Sequence, residues 1–244
     1  MHRAPGALLL LAAALPSALG APLPSLTSCG GFKVSPATTR FIDGCGRERF
    51  FRGINKVDKS PPYLPSLAVF DAGNSATRGD AALQQSLGFN AIRLGMMWAG
   101  AAPTRAGGLN RTYISAVAAI SDVFSREYGV ATLVDAHQDT LSEAFCDDGA
   151  PIWLAHDMAA GAPQPFPLPA GATPCSFGAD GRPLGACCTE VSGWADLYLT
   201  SAVSYGFQQL YTNATFSDQF AAFWAAAAAA CEWPPHVRAP LALG

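Results

Sequence analysis

Charged side chains are scarce in this sequence of 244 residues: they make up 14% of it, whereas hydrophobic residues make up 50%. The charges that are present do not favour the positive sign, since 18 acidic residues stand against 15 basic ones. Nucleic acids and anionic membrane surfaces attract proteins mainly through an excess of Lys and Arg. We therefore expect neither as an electrostatic partner, and we expect a chain that buries a sizeable apolar core.

The sequence also lacks an apolar run long enough to cross a bilayer, so no transmembrane segment is expected. The N-terminal run GALLLLAAALP is too short for that purpose, and small residues at Ala18 and Gly20 suit cleavage by a signal peptidase. Residues 1–20 are therefore predicted to be a signal peptide, and the protein to be secreted, extracellular or in the endomembrane lumen. Two N-x-[ST] triplets, at Asn110 and Asn213, are glycosylation sites compatible with that location.

No paired C-x-x-C of the kind that binds structural zinc occurs, although the chain has seven cysteines. Cys146, Cys175, Cys187 and Cys188 fall in one loop-rich region, which we expect disulfides to stabilise in a secreted protein. The odd total leaves at least one cysteine unpaired. A zinc site built on these cysteines is the alternative, but only His156 lies nearby, so no metal is predicted.

Short strands alternate with helices in the first half of the chain. FFRGIN, NAIRLG and VATLVDAH are predicted strands, and RFIDGCG is the turn of a hairpin in an N-terminal segment over residues 21–49. A helix capped by Asp80 and carrying Leu83 and Leu87 ends at Gly88, between the first two strands. A second helix, between the next two, has a buried stripe of Tyr113, Val117, Ile120 and Phe124. This order is typical of a parallel α/β sheet.

The repeat covers only part of a closed barrel. Residues 50–230 hold three to four βα units, whereas a (β/α)₈ barrel has eight, so the predicted fold class is an incomplete TIM barrel. After the third strand, an irregular stretch rich in Cys, Pro and Gly spans about 146–212. It is too long for a simple connector and is predicted to be a functional or disulfide-tied insertion. A last helix is expected to begin near Thr215, and residues 231–244 form a divergent tail.

The segment LVDAHQD, residues 133–139, holds the densest cluster of reactive side chains. Alternation along a strand puts Leu133, Asp135 and His137 on one face, at the carboxyl end where barrel enzymes contact their substrates. His137 is a candidate general base, metal ligand or hydrogen-bonding contact to a substrate. Two alternatives stay open: Arg93 and Asp135 form an ion pair that only supports the fold, and Asp139 only caps the following turn.

Five segments together resemble the secreted endoglycoceramidases of glycoside hydrolase family 5. They are FFRGINKVDKSPPY, AIRLGMMW, LVDAHQD, FCDDGAPIW and LYTNATFSDQFAAFW, in order between Phe41 and Trp224. The resemblance implies a retaining (β/α)₈ glycosidase that cuts between the glycan and the ceramide of a glycosphingolipid, without a cofactor. It also implies that Lys59, Asp135 and His137 contact the glycone sugar. On residue type alone, Lys59 would be an ordinary solvated lysine.

The sequence departs from that family where catalysis is concerned. A retaining glycosidase needs two carboxyl groups about 5 Å apart, one as acid/base and one as nucleophile. In the family both are glutamates, the first in an Asn-Glu-Pro motif. None of the five glutamates here stands in that motif; they are Glu48, Glu127, Glu143, Glu190 and Glu232. Glu143 alone lies near the expected mouth of the barrel. Asp135 and Asp139 cannot replace the pair, because one is held on the strand and the other lies past its end.

We therefore predict that both catalytic glutamates are absent and that no residue of this chain is catalytic. The chain is then the N-terminal part of an endoglycoceramidase-like enzyme, truncated after Trp224 and inactive alone. Two alternatives remain. One is a secreted glycan- or glycolipid-binding protein without catalysis, for which the open edge of a partial sheet is a liability. The other is a metal-dependent barrel hydrolase using His137, Asp139 and His156.

Overall fold

The computed structural model of the chain describes residue 29 and residues 31–231. The predicted signal peptide, residues 1–20, and all but the first residue of the predicted tail lie outside this range, as does Glu232. Within the described range, no helix combines the length and the apolarity that crossing a bilayer requires.

The turn predicted in RFIDGCG is present, since the Asp43 N–H donates to the Arg47 carbonyl at 3.0 Å, and it follows a hairpin that the sequence did not predict. Strand β1 (Phe32–Val34) pairs antiparallel with β2 (Phe41–Asp43). The carboxylate of Asp43 is buried and organises the turn, since its Oδ1 accepts from the backbone N–H groups of Cys45 at 2.9 Å and Arg47 at 3.0 Å. A disulfide from Cys29 to Cys45 ties the preceding chain to the same turn.

The centre of the molecule is the predicted parallel sheet. Its strands are β3 (Gly53–Lys56), β4 (Ala91–Gly95) and β5 (Ala131–Asp135), hydrogen-bonded in the order β3-β4-β5. In β4 the apolar Ile92 and Leu94 point to a fully buried face. Residue 53 has to be glycine, because a Cβ there would lie 1.7 Å from the carbonyl oxygen of Ala91. The α/β class with parallel strands is thus confirmed.

Helix α1 (Arg78–Ser86) differs in detail from the prediction. Its N-cap is Thr77, not Asp80; the Asp80 carboxylate reaches back to accept from the Thr77 N–H at 2.7 Å, which completes a capping box. Leu83 and Leu87 are 55% and 63% exposed, since the helix buries its opposite face, Ala81 and Gln84. Gly88 follows the helix end with a φ of +76°, as a C-terminal glycine does.

The second predicted helix is confirmed. The short helix α2 (Trp98–Ala101) follows β4, and α3 (Arg111–Asp122) then continues into one π-helical turn, Val123–Glu127. The apolar stripe predicted from the spacing is buried over its whole length; its members are Tyr113, Val117, Ile120 and Phe124.

The stretch predicted to be irregular contains regular elements, so that part of the prediction is wrong. Helix α4 (Ile152–Ala159), a small hairpin of β6 (Ser176–Phe177) and β7 (Pro183–Leu184), and helix α5 (Ser201–Thr212) lie within it. The α5 helix is capped by Thr200 and buries one side, formed by Ala202, Val203, Gly206 and Leu210. The small residues Ala202 and Gly206 on this face hide the helical period from a search for large apolar residues.

Disulfides stabilise the insertion as predicted. They join Cys146 to Cys188 and Cys175 to Cys187, which consumes all four sulfurs and removes the zinc alternative. Cys231, at the end of the described range, has a free thiol.

The last helix, α6 (Ala214–Ala230), begins one residue before Thr215, because Asn213 is the N-cap and accepts from the Thr215 N–H at 3.0 Å. The helix includes the alanine run of residues 225–230. Phe223 is fully buried and, with Phe220, packs on the ring of Trp98 from α2. This contact joins α6 to the core behind the sheet.

Candidate functional site

Charged side chains meet at the carboxyl ends of β4 and β5. Nη2 of Arg93 lies 2.7 Å from Oδ2 of Asp135, and the same oxygen lies 2.9 Å from Nδ1 of His137. The predicted Arg93–Asp135 ion pair therefore exists, but it also includes the histidine. With a proton on Nδ1, the His137 ring donates to Asp135 and leaves Nε2 as an acceptor.

The second half of the cluster comes from loops. Lys59, in the loop after β3, donates to Asp139, and its Nζ lies 3.0 Å from Oδ2 of Asp148 and 3.4 Å from Oδ1 of Asp147. Burial lowers the pKa of Lys59, but the bonds to Asp139 and Asp148 more than offset this, and the pKa is raised. Lys59 is therefore an ammonium ion held by three carboxylates, not a free surface lysine.

Asp148 and Asp139, two of the three aspartates around Lys59, titrate differently. Burial raises the pKa of Asp148, which is 1% exposed, to about 6, and the bond to Lys59 offsets only part of this effect. Burial also acts on Asp139, but the bond to Lys59 outweighs it and lowers the pKa of that carboxyl. Backbone bonds between Asp139 and Asp148, at 3.0 and 3.1 Å, hold their two segments side by side.

His137 connects the two halves. Its Nε2 lies 3.3 Å from Oδ2 of Asp139, so the ring stands between Asp135 and Asp139. The Nε2 atom is buried and has no hydrogen-bond partner among the described residues. Lys59, Asp135 and His137, the three residues chosen from the sequence, thus belong to one cluster through His137 and Asp139.

Two aromatic residues of the insertion complete the cluster, and reasoning from the sequence missed both. The hydroxyl of Tyr198 donates to Oδ1 of Asp139 at 3.1 Å, and Nε1 of Trp194 donates to Oδ2 of Asp147 at 2.6 Å. The two rings meet edge to face with centroids 5.6 Å apart. Because Trp194 is 53% exposed, its ring is an open apolar surface beside the carboxylates.

The glutamates of the described range do not form a catalytic pair. Arg40 binds Glu48 and Arg78 binds Glu127, whereas Glu190 is exposed to solvent. Glu143, the one candidate near the mouth, accepts from the hydroxyl of Tyr63 at 2.6 Å and is ion-paired with Arg182. The carboxylates of Glu48, Glu127 and Glu143 are thus used in surface or structural contacts.

The aspartates do not replace them. The His137 ring fills the space between Asp135 and Asp139, where a sugar would have to lie. Carboxylate oxygens of Asp139 and Asp148 lie within 4.8 Å of each other, close to the spacing of a retaining pair. The ammonium of Lys59 contacts both, however, and Asp148 is almost fully buried, so no glycosidic bond has room between them.

The same group, His137, Asp139 and Asp148, has the composition of a metal site. Lys59 already supplies the positive charge that a cation would bring to these carboxylates. His156 does not join them: its Nε2 is 2.8 Å from the carbonyl oxygen of Gly181, and its ring packs edge to face on Phe145 and Phe177. A metal site of His137, Asp139 and His156 is therefore wrong.

The chain is similar in sequence to a class of known enzymes. No family model matches the chain. The similar proteins with established names are endoglycoceramidases, and the resemblance carried by the five motifs is thereby confirmed.

Two of these relatives match most of the chain. The chain is 39% identical to the endoglycoceramidase of Hydra vulgaris over 195 residues, which is 78% of this chain and 36% of that protein. It is also 39% identical to the endoglycoceramidase of Cyanea nozakii over 193 residues, 78% of this chain and 37% of the relative. The chain thus spans about a third of the length of these relatives.

Solved structures show the same fold. Endo-glycoceramidase II from Rhodococcus sp. superposes with a TM-score of 0.52 at 20% identity, over 76% of this chain and 36% of that one. An endogalactoceramidase superposes with a TM-score of 0.54 at 21% identity, over 82% of this chain and 40% of that one.

Proposed function

We propose that this chain supplies the sugar-contacting part of a glycoside hydrolase of the endoglycoceramidase type, which cleaves the bond between the glycan and the ceramide of a glycosphingolipid. The observation that carries the proposal is the cluster of Lys59, His137 and Asp139 at the carboxyl edge of the sheet. The similarity to named endoglycoceramidases supports the choice of substrate class.

The fold supports this placement. We infer that β3, β4 and β5 are consecutive strands of a (β/α)₈ barrel, because they are parallel, follow one another in chain order and alternate with helices. In such barrels, substrates are bound at the carboxyl ends of the strands and by the loops that follow them. Arg93, Asp135 and the loop bearing Lys59 occupy those positions.

The cluster has the chemistry that a sugar needs. Hydroxyl groups both donate and accept hydrogen bonds, and the cluster offers the carboxylates of Asp139 and Asp147 as acceptors and Lys59 as a donor. The ring of His137 stands between Asp135 and Asp139 and holds both carboxylates in place. The exposed ring of Trp194 offers an apolar surface for the C–H groups on one face of the sugar.

Hydrolysis requires two further carboxyl groups. Since the glutamates within residues 31–231 are engaged elsewhere or exposed, we propose that the acid/base and the nucleophile are not among them. The 244-residue chain is then expected to bind sugar without hydrolysing it, which is also what a secreted non-catalytic glycan-binding protein would do. Residues 1–20 as a signal peptide, and a secreted location, complete the proposal.

Titration of the folded chain with lactose, followed by calorimetry or by the change in tryptophan fluorescence that is lost in Trp194→Phe, tests the proposal. Lys59→Ala should weaken binding at least tenfold, since it removes a charged hydrogen-bond donor, whereas Lys33→Ala, a lysine of the N-terminal hairpin, should not change it. Equal affinities for the two variants would contradict the sugar site. Turnover of an aryl glycoside that is lost in Glu143→Gln would contradict the absence of catalysis.

The predicted glycosylation sites differ in their surroundings. Asn110 is exposed at the start of α3, and its carboxamide oxygen accepts from the Tyr113 N–H at 3.1 Å. Asn213 is half-buried between α5 and α6, and its Nδ2, the atom that would carry the glycan, donates to Gln209 at 3.3 Å. We propose glycosylation at both, with Asn110 the more readily modified. Peptide mapping of the secreted protein after enzymatic deglycosylation in water enriched in oxygen-18 measures the occupancy of each site.

A further inference from the structure

We infer that Arg182 of the insertion is a positioning residue: through Glu143 and Tyr63 it fixes the loop that carries Lys59. The contacts Arg182–Glu143 and Glu143–Tyr63 connect the tip of the β6–β7 hairpin to that loop. The role of the loop in sugar binding rests on the function proposed above, whereas the mechanical link does not.

Glu143 is the junction of this link. One of its oxygens accepts from the Tyr63 hydroxyl at 2.6 Å and the other is bound by Arg182. Its side chain is 13% exposed, so the carboxylate has few water molecules to compensate its charge. Removing a partner from a buried ion pair leaves an uncompensated charge. Without Arg182, the Glu143 carboxylate has to turn toward solvent, and this movement disturbs its bond to Tyr63.

Tyr63 holds the Lys59 loop at two points. It lies four residues after Lys59 and is 9% exposed. Its hydroxyl is bound by Glu143, and its carbonyl oxygen accepts from the hydroxyl of Tyr113 on α3 at 3.1 Å. Tyr63 also has a φ of +60°, a conformation that a bulky residue adopts only when its surroundings hold it there. Loss of the hydroxyl contact removes one of these two anchors.

Arg182 is itself held in place. The Asp180 carboxylate accepts from the Arg182 backbone N–H and lies next to its guanidinium, both at 3.1 Å. The backbone of the turn is closed by Gly178 N–H donating to the Arg182 carbonyl at 2.8 Å. His156 of α4 contacts the neighbouring Gly181 carbonyl at 2.8 Å. The hairpin therefore presents Arg182 to Glu143 from a fixed position.

Disulfides hold the chain segments of Glu143 and Arg182 close to each other. Cys146 directly follows the 3₁₀ turn Glu143–Phe145, and it is bonded to Cys188, while Cys175 and Cys187 close the hairpin on either side of Arg182. Arg182 thus lies within the covalent ring that the Cys146–Cys188 bond closes, and Glu143 lies three residues before that ring. This arrangement explains why Glu143 lies near the mouth without being free for catalysis.

Selective acylation of amines measures the position of Lys59 without any sugar. The chain has three lysines, Lys33, Lys56 and Lys59, which mass spectrometry distinguishes. Lys59 should react slowly with a trace of acetic anhydride, because its raised pKa keeps it protonated among three carboxylates. Arg182→Ala should increase its labelling rate about tenfold, as expected when coupled contacts are lost. The labelling of Lys33 should not change, and Arg182→Lys should restore part of the protection.

Arg105→Ala is the matched control, since Arg105 also forms an ion pair with α4 residue Asp157 but does not contact Glu143. If Arg182→Ala folds and leaves Lys59 labelling unchanged, or if Arg105→Ala raises it equally, the inference is wrong. Should Arg182→Ala fail to unfold cooperatively, Tyr63→Phe breaks the same link by removing one hydroxyl, and protection of Lys59 in that variant overturns the inference.

Sugar binding separates this inference from the proposed function. In lactose titrations, Arg182→Ala should weaken binding in the wild-type background and add no further loss to Lys59→Ala, because it acts through Lys59. Additive losses would mean that Arg182 acts elsewhere. If the wild-type chain binds no sugar while Lys59 labelling still responds to Arg182→Ala, the proposed function fails and the positioning link stands.

Discussion

The sheet and the insertion are stabilised by different means. The sheet, with α3 behind it, is held by apolar side chains such as Ile92, Leu94 and Phe124, all almost fully buried. The insertion after β5 has short elements, two disulfides and ion pairs such as Arg182–Glu143. The functional cluster lies between them, with Asp135 and His137 on the sheet side and Trp194 and Tyr198 on the insertion side. One part of the site is thus set by packing and the other by covalent crosslinks.

Of these variants, Phe124→Ala should lower the free energy of unfolding most, because it removes a buried side chain from the core behind the sheet. The Phe124 ring is fully buried, so the variant loses its transfer free energy and leaves a cavity, about 3–5 kcal/mol in total. Denaturant unfolding followed by circular dichroism measures the loss. Phe50→Ala is the control, because Phe50 is 73% exposed. Similar losses in the two variants would contradict the assignment of Phe124 to the core.

Cys175→Ser with Cys187→Ser should affect the insertion selectively. Removing the Cys175–Cys187 crosslink frees the chain on both sides of the hairpin, with an expected cost of about 2–4 kcal/mol. Hydrogen exchange should rise in residues 175–198, while the amides of β4 and β5 stay protected. Uniform loss of protection across the molecule would show that the two regions unfold as one unit.

Asp148→Asn should change how stability depends on pH. The folded-state pKa of Asp148 is raised to about 6 from an ordinary value of 3.8, so the folded protein binds the extra proton between these values. Ionisation of Asp148 therefore lowers the free energy of unfolding progressively as pH rises from about 4 to 6, by on the order of 2 kcal/mol in total. Subtracting the pH profile of the variant from that of the wild type isolates this slope. A difference that does not vary with pH would contradict it.

Thr77→Ala should lower the free energy of unfolding least, because it affects only the start of helix α1. It removes the N-cap of α1 and half of the capping box with Asp80, at a cost of about 1 kcal/mol. Thermal unfolding measures the change, and Thr104→Ala in an exposed loop is the control. Sugar binding should be the same in both variants, since α1 does not contact the cluster.

The sequence predicted those parts of the fold that have a clear period. Alternation identified β4 and β5, and the spacing of Tyr113, Val117, Ile120 and Phe124 identified α3. The α5 helix was missed because its buried face contains Gly206 and Ala202, which carry little hydrophobic signal. Leu83 and Leu87 gave a misleading signal, since their side chains are exposed.

The site was only partly predictable for a related reason. Asp135 and His137 lie on or next to a strand, where alternation assigns a face, whereas Lys59 was chosen only through the resemblance. Asp148 and Trp194 lie in loops whose path depends on disulfides, and no local period places them beside Asp139. The pair of aspartates directly after Cys146 was the available signal, because the Cys146–Cys188 disulfide fixes this stretch of chain.

The ammonium of Lys59 has a consequence for the behaviour of the site in solution. It is a counterion that belongs to the protein, fixed among the carboxylates of Asp139, Asp147 and Asp148. Because Lys59 and these carboxylates lie closer together than the screening length at physiological salt, dissolved ions weaken their contacts little. The affinity for a neutral glycan is therefore expected to stay nearly constant as ionic strength increases.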